Sequence, residues 1–339
     1  MGKLYKINIS ALLPGDIILA GFNDSDSREI QSLTNSLFSH TMLYWYDSII
    51  HASDIVITEN PSRMLFEEDE SVCILRLKEE FWNEYRINEL VKHARGLVGT
   101  FYDRRALIAM RDGKEVKPKE NRQMCARFVA QCFDYVCLDL VNDYELCTPE
   151  DIYKSNILYP LEKPLIEANQ IDIDFAKSYD VTAHQFESIK GFLIALKKKF
   201  PQEDIVSLVQ LEDFIEKNPA NGDVALDLLR RTEYFDLWRL EKEHCKYLYN
   251  VEAFKNMFKD NTRDQAFSVI KSSRRIVDER KMVIQAYKYK IATVADIEYY
   301  RQMLSLQEHI IETAKERIEV AEKVLLSLGI VKIKYPWLQ

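Results

Sequence analysis

Brief apolar runs and long three-and-four repeats divide this chain into two stretches of different character. Up to about residue 161 the apolar runs are short. Segments 15–21, 40–46, 48–52 and 71–77 are rich in Ile, Val or aromatic residues, as strands are. Asp47-Ser48 is a turn signal between the second and third, so a hairpin is expected there. Helical spacing then predicts helices over 81–96, 104–111 and 124–137. Strands followed by helices imply an α+β domain with an antiparallel sheet. Beyond about residue 180 the pattern is helical throughout, with segments near 183–199, 204–217, 222–248, 263–290 and 294–328. Polar breaks at 218–222 and 260–262 separate some of them. Thr182…Gln185, Thr262…Gln265 and Thr293…Asp296 read as N-caps, and Gly329 as a C-cap. Helices so closely connected form a bundle or a helical hairpin array, and no internal repeat stands out.

Composition narrows the class. The chain has 339 residues, 47% apolar and 29% charged, which excludes collagen-like, disordered and disulfide-scaffold proteins. Its length suggests two domains, expected at 1–165 and 166–339. The formal net charge of -8 argues against a general nucleic-acid binder. The charge is uneven: residues 1–165 hold 19 Lys+Arg against 26 Asp+Glu, and the remainder 27 against 28. The acidic run 67–70 reads as a solvated loop. The tail at 331–337 reads as docking on the bundle or touching a membrane. Six irregularly spaced cysteines suit a reducing compartment. With no signal-peptide pattern and no stretch apolar enough to span a membrane, the expected location is the cytoplasm, or export by a signal-peptide-independent system.

Candidate chemistry centres on Cys125. The segment 121–133 patterns as an amphipathic helix with Cys125 in its first turn, where the helix dipole and unpaired N–H groups favour a thiolate and a developing oxyanion. Residues 102–127 carry eight Lys+Arg and four Asp+Glu. This basic approach either steers an anionic group to the thiol or is simply a basic surface loop. From position alone the commoner account of Cys125 is a small buried side chain. A thiol nucleophile needs a base, and the base an orienting group. His184, His244 and His309 fall on charged helical segments, and His93 on the helix before Gly96. All four read as structural. His40 and His51 flank one hairpin, without neighbouring charge clusters. A turn at Asp47-Ser48 would put them on one face but up to ~13 Å apart. Nucleotide loops (GxGxxG, GxxxxGK[ST]) and HExxH do not occur, and no metal or cofactor is expected.

These residues resemble the NlpC-like branch of the papain-like cysteine hydrolases in circularly permuted form, as in its YiiX-like and lecithin–retinol acyltransferase-like groups. Leu13-Pro14-Gly15-Asp16-Ile17 looks like the family's first strand, Ser39-His40-Thr41 its histidine strand and Ile49-Ile50-His51-Ala52 the strand of the third polar residue. Gly99-Thr100-Phe101-Tyr102-Asp103 resembles its glycine–tyrosine segment. Met124-Cys125-Ala126-Arg127 resembles its nucleophile helix, and Thr148-Pro149-Glu150-Asp151-Ile152 the closing segment. The likeness spans roughly residues 10–160. Ala126 stands where many relatives have Ser or Gly, and the helical half has no counterpart in the family core.

The resemblance implies a permuted papain-like domain followed by an all-α bundle. It makes Cys125 the nucleophile, His40 the base and His51 its orienting group, with Tyr102 and Ser39 at the substrate. The expected activity is a cysteine amidase or peptidase working through a thioester. The alternatives are an acyltransferase or thioesterase on the same triad, or a catalytically idle binding protein. The expected substrates are a small peptide, a peptidoglycan fragment or an acyl lipid, with a protein partner for the helical half.

Overall fold

The computed structural model describes residues 2–46, 48–67, 70–112, 122–203, 205–259 and 261–330. In chain order the first part runs β1 (Leu4–Ile7), β2 (Ile17–Gly21), α1 (Ser25–Thr34), β3 (His40–Trp45), β4 (Ser48–Ala52), β5 (Val56–Glu59), β6 (Leu65–Glu67) and β7 (Ser71–Leu77). Then come α2 (Glu84–Gly96), α3 (Arg104–Arg111), α4 (Cys125–Asp134), α5 (Pro149–Tyr153), β8 (Leu158–Pro160), β9 (Leu165–Glu167) and α6 (Gln170–Lys177). The architecture is α+β. Six strands pair antiparallel in the order β5-β4-β3-β2-β7-β8, and three more in the order β6-β1-β9.

Alternation along the strands divides the core between the two sheet faces. Ile17, Leu19, Leu43, Trp45 and Ile50 pack with Leu90, Val91, Phe128 and Val129 of α2 and α4. Ile18, Ala20, Met42, Tyr44 and Ile49 pack with Ile7 and Phe66 of the small sheet. Asp16 is 1% exposed at the entry to β2, where Arg76 Nε and Nη2 reach it (2.8 and 2.7 Å) and the Leu13 N–H donates at 2.8 Å. Burial, outweighing Arg76, holds its carboxyl above the ordinary range.

The second part comprises α7 (Val181–Lys199), α8 (Leu208–Lys217), α9 (Gly222–Arg230), α10 (Leu237–His244), α11 (Val251–Met257), α12 (Thr262–Thr293) and α13 (Glu298–Ser327). The chain divides into two compact units, Met1–Ser178 with Asp204–Gln210, and Tyr179–Glu203 with Leu211–Gln339. The first therefore continues past residue 165. There β9 pairs with β1, and Arg63 holds the end of α6 through the carbonyls of Phe175 (3.0 Å) and Ser178 (2.9 Å). In the second unit α12 and α13 form a long helical hairpin, with Ala266, Ile270, Ala321 and Val324 buried between them. No helix among the described residues is long and apolar enough to cross a membrane.

Several sequence expectations are corrected. The turn is not at Asp47-Ser48, because Ser48 already pairs with Trp45 as the first residue of β4 and Tyr46 adopts φ +50°. The three threonine N-caps are displaced. Asp180 caps α7, accepting from the N–H groups of Thr182 (2.9 Å) and Ala183 (3.3 Å). Thr262 lies inside α12 and donates its hydroxyl to the Phe258 carbonyl, and Thr293 ends α12 bonded to Tyr289. The expected helix 222–248 breaks after Arg230, where the Thr232 hydroxyl donates to Leu229 (2.7 Å) and accepts from the Tyr234 N–H (3.3 Å). Gly329 does close α13, with φ +81°. Of the acidic run, 68–69 lie outside the described residues, and Glu70 accepts from the Glu67 N–H at 2.8 Å. The tail 331–337 lies outside them as well.

Candidate functional site

Strand register brings the two hairpin histidines together. Met42 faces His51 across β3 and β4, so His40, two residues earlier, lies on the same face one diagonal step away. A diagonal step is within reach of imidazole side chains, and His40 Nε2 lies 2.7 Å from His51 Nδ1 with the rings edge to face at 4.9 Å. The next strand repeats the step. His51 faces Ile57, and Glu59, two residues on, places Oε2 3.2 Å from His51 Nε2. Three adjacent strands thus carry a His40–His51–Glu59 chain. Glu59 escaped the sequence reading because β5 itself did. Its signal is the β-branched run Ile55-Val56-Ile57-Thr58 directly after a histidine strand.

His51 is 6% exposed and His40 is partly buried. Burial, followed by the neighbouring His51, depresses His40 to about 3, so this ring is neutral at physiological pH. The approach of the chain to His40 depends on Gly21: a Cβ there would stand 2.0 Å from the Leu37 carbonyl, which also accepts from Gln31 at 2.9 Å. Glycine at the end of β2 lets the loop leading to Ser39 and His40 lie close against it.

Cys125 is the first residue of α4, behind Met124, whose extended backbone (φ -121°, ψ 158°) makes it the N-cap without a capping side chain. The helix start is thus left with N–H groups for the thiol. The N–H groups of Thr41, Ala126 and Cys125 itself and the Tyr102 hydroxyl favour the charged form of the thiol. Burial is the strongest influence and pushes the thiol above the ordinary cysteine range, while these donors pull it down. The thiol in turn donates toward the Ser39 carbonyl at 3.8 Å. Among the described residues no hydrogen bond joins His40 to the sulfur.

Tyr102 is placed by a short bridge to Gln123 and by its N–H to Asp54 (2.9 Å), downstream of Gly99 with φ +88°. Burial, and then Cys125, hold its hydroxyl far above the ordinary tyrosine range, so it serves as a donor. The Ser39 hydroxyl is turned to the Ala20 carbonyl (3.4 Å), and it is the Ser39 carbonyl that meets the thiol. Among the described residues, Thr41 Oγ1 and Gln123 Oε1 are buried without hydrogen-bond partners.

In the basic segment, Arg104 pairs with Asp54 (2.6 Å), Arg105 with Asp103 (3.3 Å), and Arg127 donates to the Arg122 carbonyl (2.7 Å). Residues 113–121 lie outside the described residues. Of the other histidines, His93 stacks on Tyr135 and His309 on Trp238, while His184 lies 2.6 Å from Glu233. Among the described residues no three His, Cys, Asp or Glu side chains gather as metal ligands.

No family model matches the chain, and no curated protein does. Among solved structures, the metalloprotein yiiX from Escherichia coli O157:H7 is similar over 44% of this chain and 96% of its own, at 16% identity and a TM-score of 0.36.

Proposed function

We propose that the first unit is a thiol-dependent hydrolase or acyl-transfer catalyst built on Cys125, in a circularly permuted papain-like, NlpC-like arrangement. The observation that carries this reading is a buried cysteine as the first residue of α4, its thiol against the carbonyl of Ser39, the residue before His40. Helix-start N–H groups stabilise a thiolate and can take up the oxyanion that follows.

The steps are those of acyl transfer. His40 takes the Cys125 proton, and the thiolate adds to an amide or ester carbonyl. Collapse expels the amine or alcohol, which leaves with the proton from His40, and a thioester remains. Water then releases an acid, or a second amine or hydroxyl takes the acyl group. Small peptides, peptidoglycan fragments and acyl lipids are the substrate classes to screen.

A second reading, an idle binding domain, is favoured by one observation: the thiol donates to Ser39 while the His40 Nε2 is engaged by His51. Catalytic hydrogen bonds often tighten only when substrate is bound, so this geometry fits a resting enzyme as well. Reaction with a small vinyl electrophile at neutral pH, mapped by peptide mass, separates the two. The enzyme reading expects Cys125 to react faster than exposed Cys137, and a His40→Ala variant to lose that advantage. Equal labelling of Cys125 in the two proteins would leave binding as the function.

A further inference from the structure

We propose that Glu59 is a positioning residue: it sets the direction of the imidazole chain and so makes His40 Nδ1 the proton acceptor. The proposal rests on the thiol–imidazole reading above. A carboxylate only accepts hydrogen bonds, so His51 must present its Nε2 proton to Glu59 Oε2 at 3.2 Å. A neutral His51 then holds a lone pair on Nδ1. His40 Nε2, 2.7 Å away, must be the donor there, because two lone pairs cannot face each other at that distance. With its one proton on Nε2, neutral His40 is left with a free lone pair on Nδ1. That is the atom able to take the Cys125 proton.

When it does, His40 becomes an imidazolium that still donates from Nε2 to His51, and the thiolate carries the balancing charge. Glu59 then lies at the far end of the chain as the compensating anion. This opposes the burial that otherwise disfavours a charged His40. Glu59 touches neither thiol nor substrate in this scheme and acts wholly through His51.

Glu59→Lys is the sharpest test, since lysine can only donate. It forces His51 to accept at Nε2, carry its proton on Nδ1 and donate to His40, which blocks His40 Nδ1. In full-length protein labelled with 15N-histidine, the wild-type rings of His40 and His51 should both be protonated at Nε2. In Glu59→Lys both should be protonated at Nδ1. Alkylation of Cys125 by iodoacetamide at neutral pH should fall by about tenfold or more in Glu59→Lys. In Glu59→Gln, whose amide oxygen still accepts, it should stay within about threefold.

Wild-type rings protonated at Nδ1, or tautomers unchanged in Glu59→Lys, would overturn the proposal. Should Glu59→Lys not fold, Glu59→Ala removes the fixed acceptor and is expected to divide His51 between two tautomers. A single retained tautomer would overturn the proposal equally. If His40→Ala leaves alkylation unchanged, the thiol–imidazole reading fails, while the ring tautomers still report on Glu59.

Discussion

Each unit of this protein buries a polar cluster, and the two clusters solve the same problem differently. In the second unit the Glu212 carboxylate accepts from the hydroxyls of Tyr287 and Tyr299 at 2.8 Å each and from Lys290 at 3.1 Å. Lys290 also reaches Glu216 at 3.1 Å, so every donor there is spent on a carboxylate. Burial and then Glu212 hold both tyrosines far above the ordinary range, so neither titrates under physiological conditions. In the first unit the His40–His51–Glu59 chain ends on an imidazole nitrogen with nothing to donate, and the Cys125 thiol makes only a long contact to the Ser39 carbonyl at 3.8 Å among the described residues. A saturated network rigidifies its surroundings, whereas an open-ended one has protons left to move.

The largest expected effect breaks the saturated cluster. Glu212→Ala leaves two tyrosine hydroxyls without their acceptor and Lys290 with Glu216 alone, at a cost of about 3 kcal/mol in urea unfolding. Cys125 alkylation by iodoacetamide should be unaffected. A drop in thiol reactivity would show that the two clusters are not separate in function.

The open-ended cluster should instead reveal itself through pH. An unfolded histidine binds its proton near pH 6.5, whereas folded His40 does so only at about 3. Between those values the unfolded state holds more protons, so this contribution to stability is lost as pH falls. The slope is at most about 1.4 kcal/mol per pH unit. Amide exchange in β2 to β4, followed from pH 7 to pH 4, should show that loss in the wild type and less of it in His40→Gln. Equal slopes would contradict the depressed value.

One matched pair of deletions sharpens the contrast. Tyr299→Phe removes a donor to Glu212 and should cost about 1 kcal/mol of stability. Tyr102→Phe removes the hydroxyl that favours the Cys125 thiolate and should slow alkylation by about three- to tenfold, one hydrogen bond being worth about 1 kcal/mol. Its effect on unfolding should be smaller than that of Tyr299→Phe. The reverse assignment of effects would mean that Tyr102 is a packing residue.

Local pattern carried the α+β class, four strands of the main sheet and the Cys125 helix start, because alternation and helical spacing are visible within a few residues. What it could not carry was pairing. Pairing Trp45 with Ser48, instead of turning at 47–48, shifts the hairpin register by two, which is the difference between ~13 Å and a hydrogen bond for His40 and His51. Glu59 enters the site only because β5 pairs with β4, a fact of the sheet and not of its own segment. Tyr102 joined the candidates through family resemblance, since nothing in residues 99–103 alone points to a thiol 23 positions away. Thr232 hid the break after α9, as a threonine in a helical pattern reads equally well as continuation.

The smallest expected effect concerns two threonines that look alike in sequence, one in each unit. Thr148 is a true cap. Its hydroxyl accepts from the Asp151 N–H at 3.2 Å, and Asp151 returns the bond to the Thr148 N–H at 2.8 Å. Thr182 fits the same pattern but sits within the first turn of α7, donating its N–H to Asp180. Thr148→Ala should therefore cost about 1 kcal/mol, and Thr182→Ala only a few tenths, with Asp180→Ala recovering the larger figure in the second unit. Chemical denaturation of the three variants separates these values. Equal costs for Thr148→Ala and Thr182→Ala would mean that the spacing, and not the bonded geometry, decides where these helices begin.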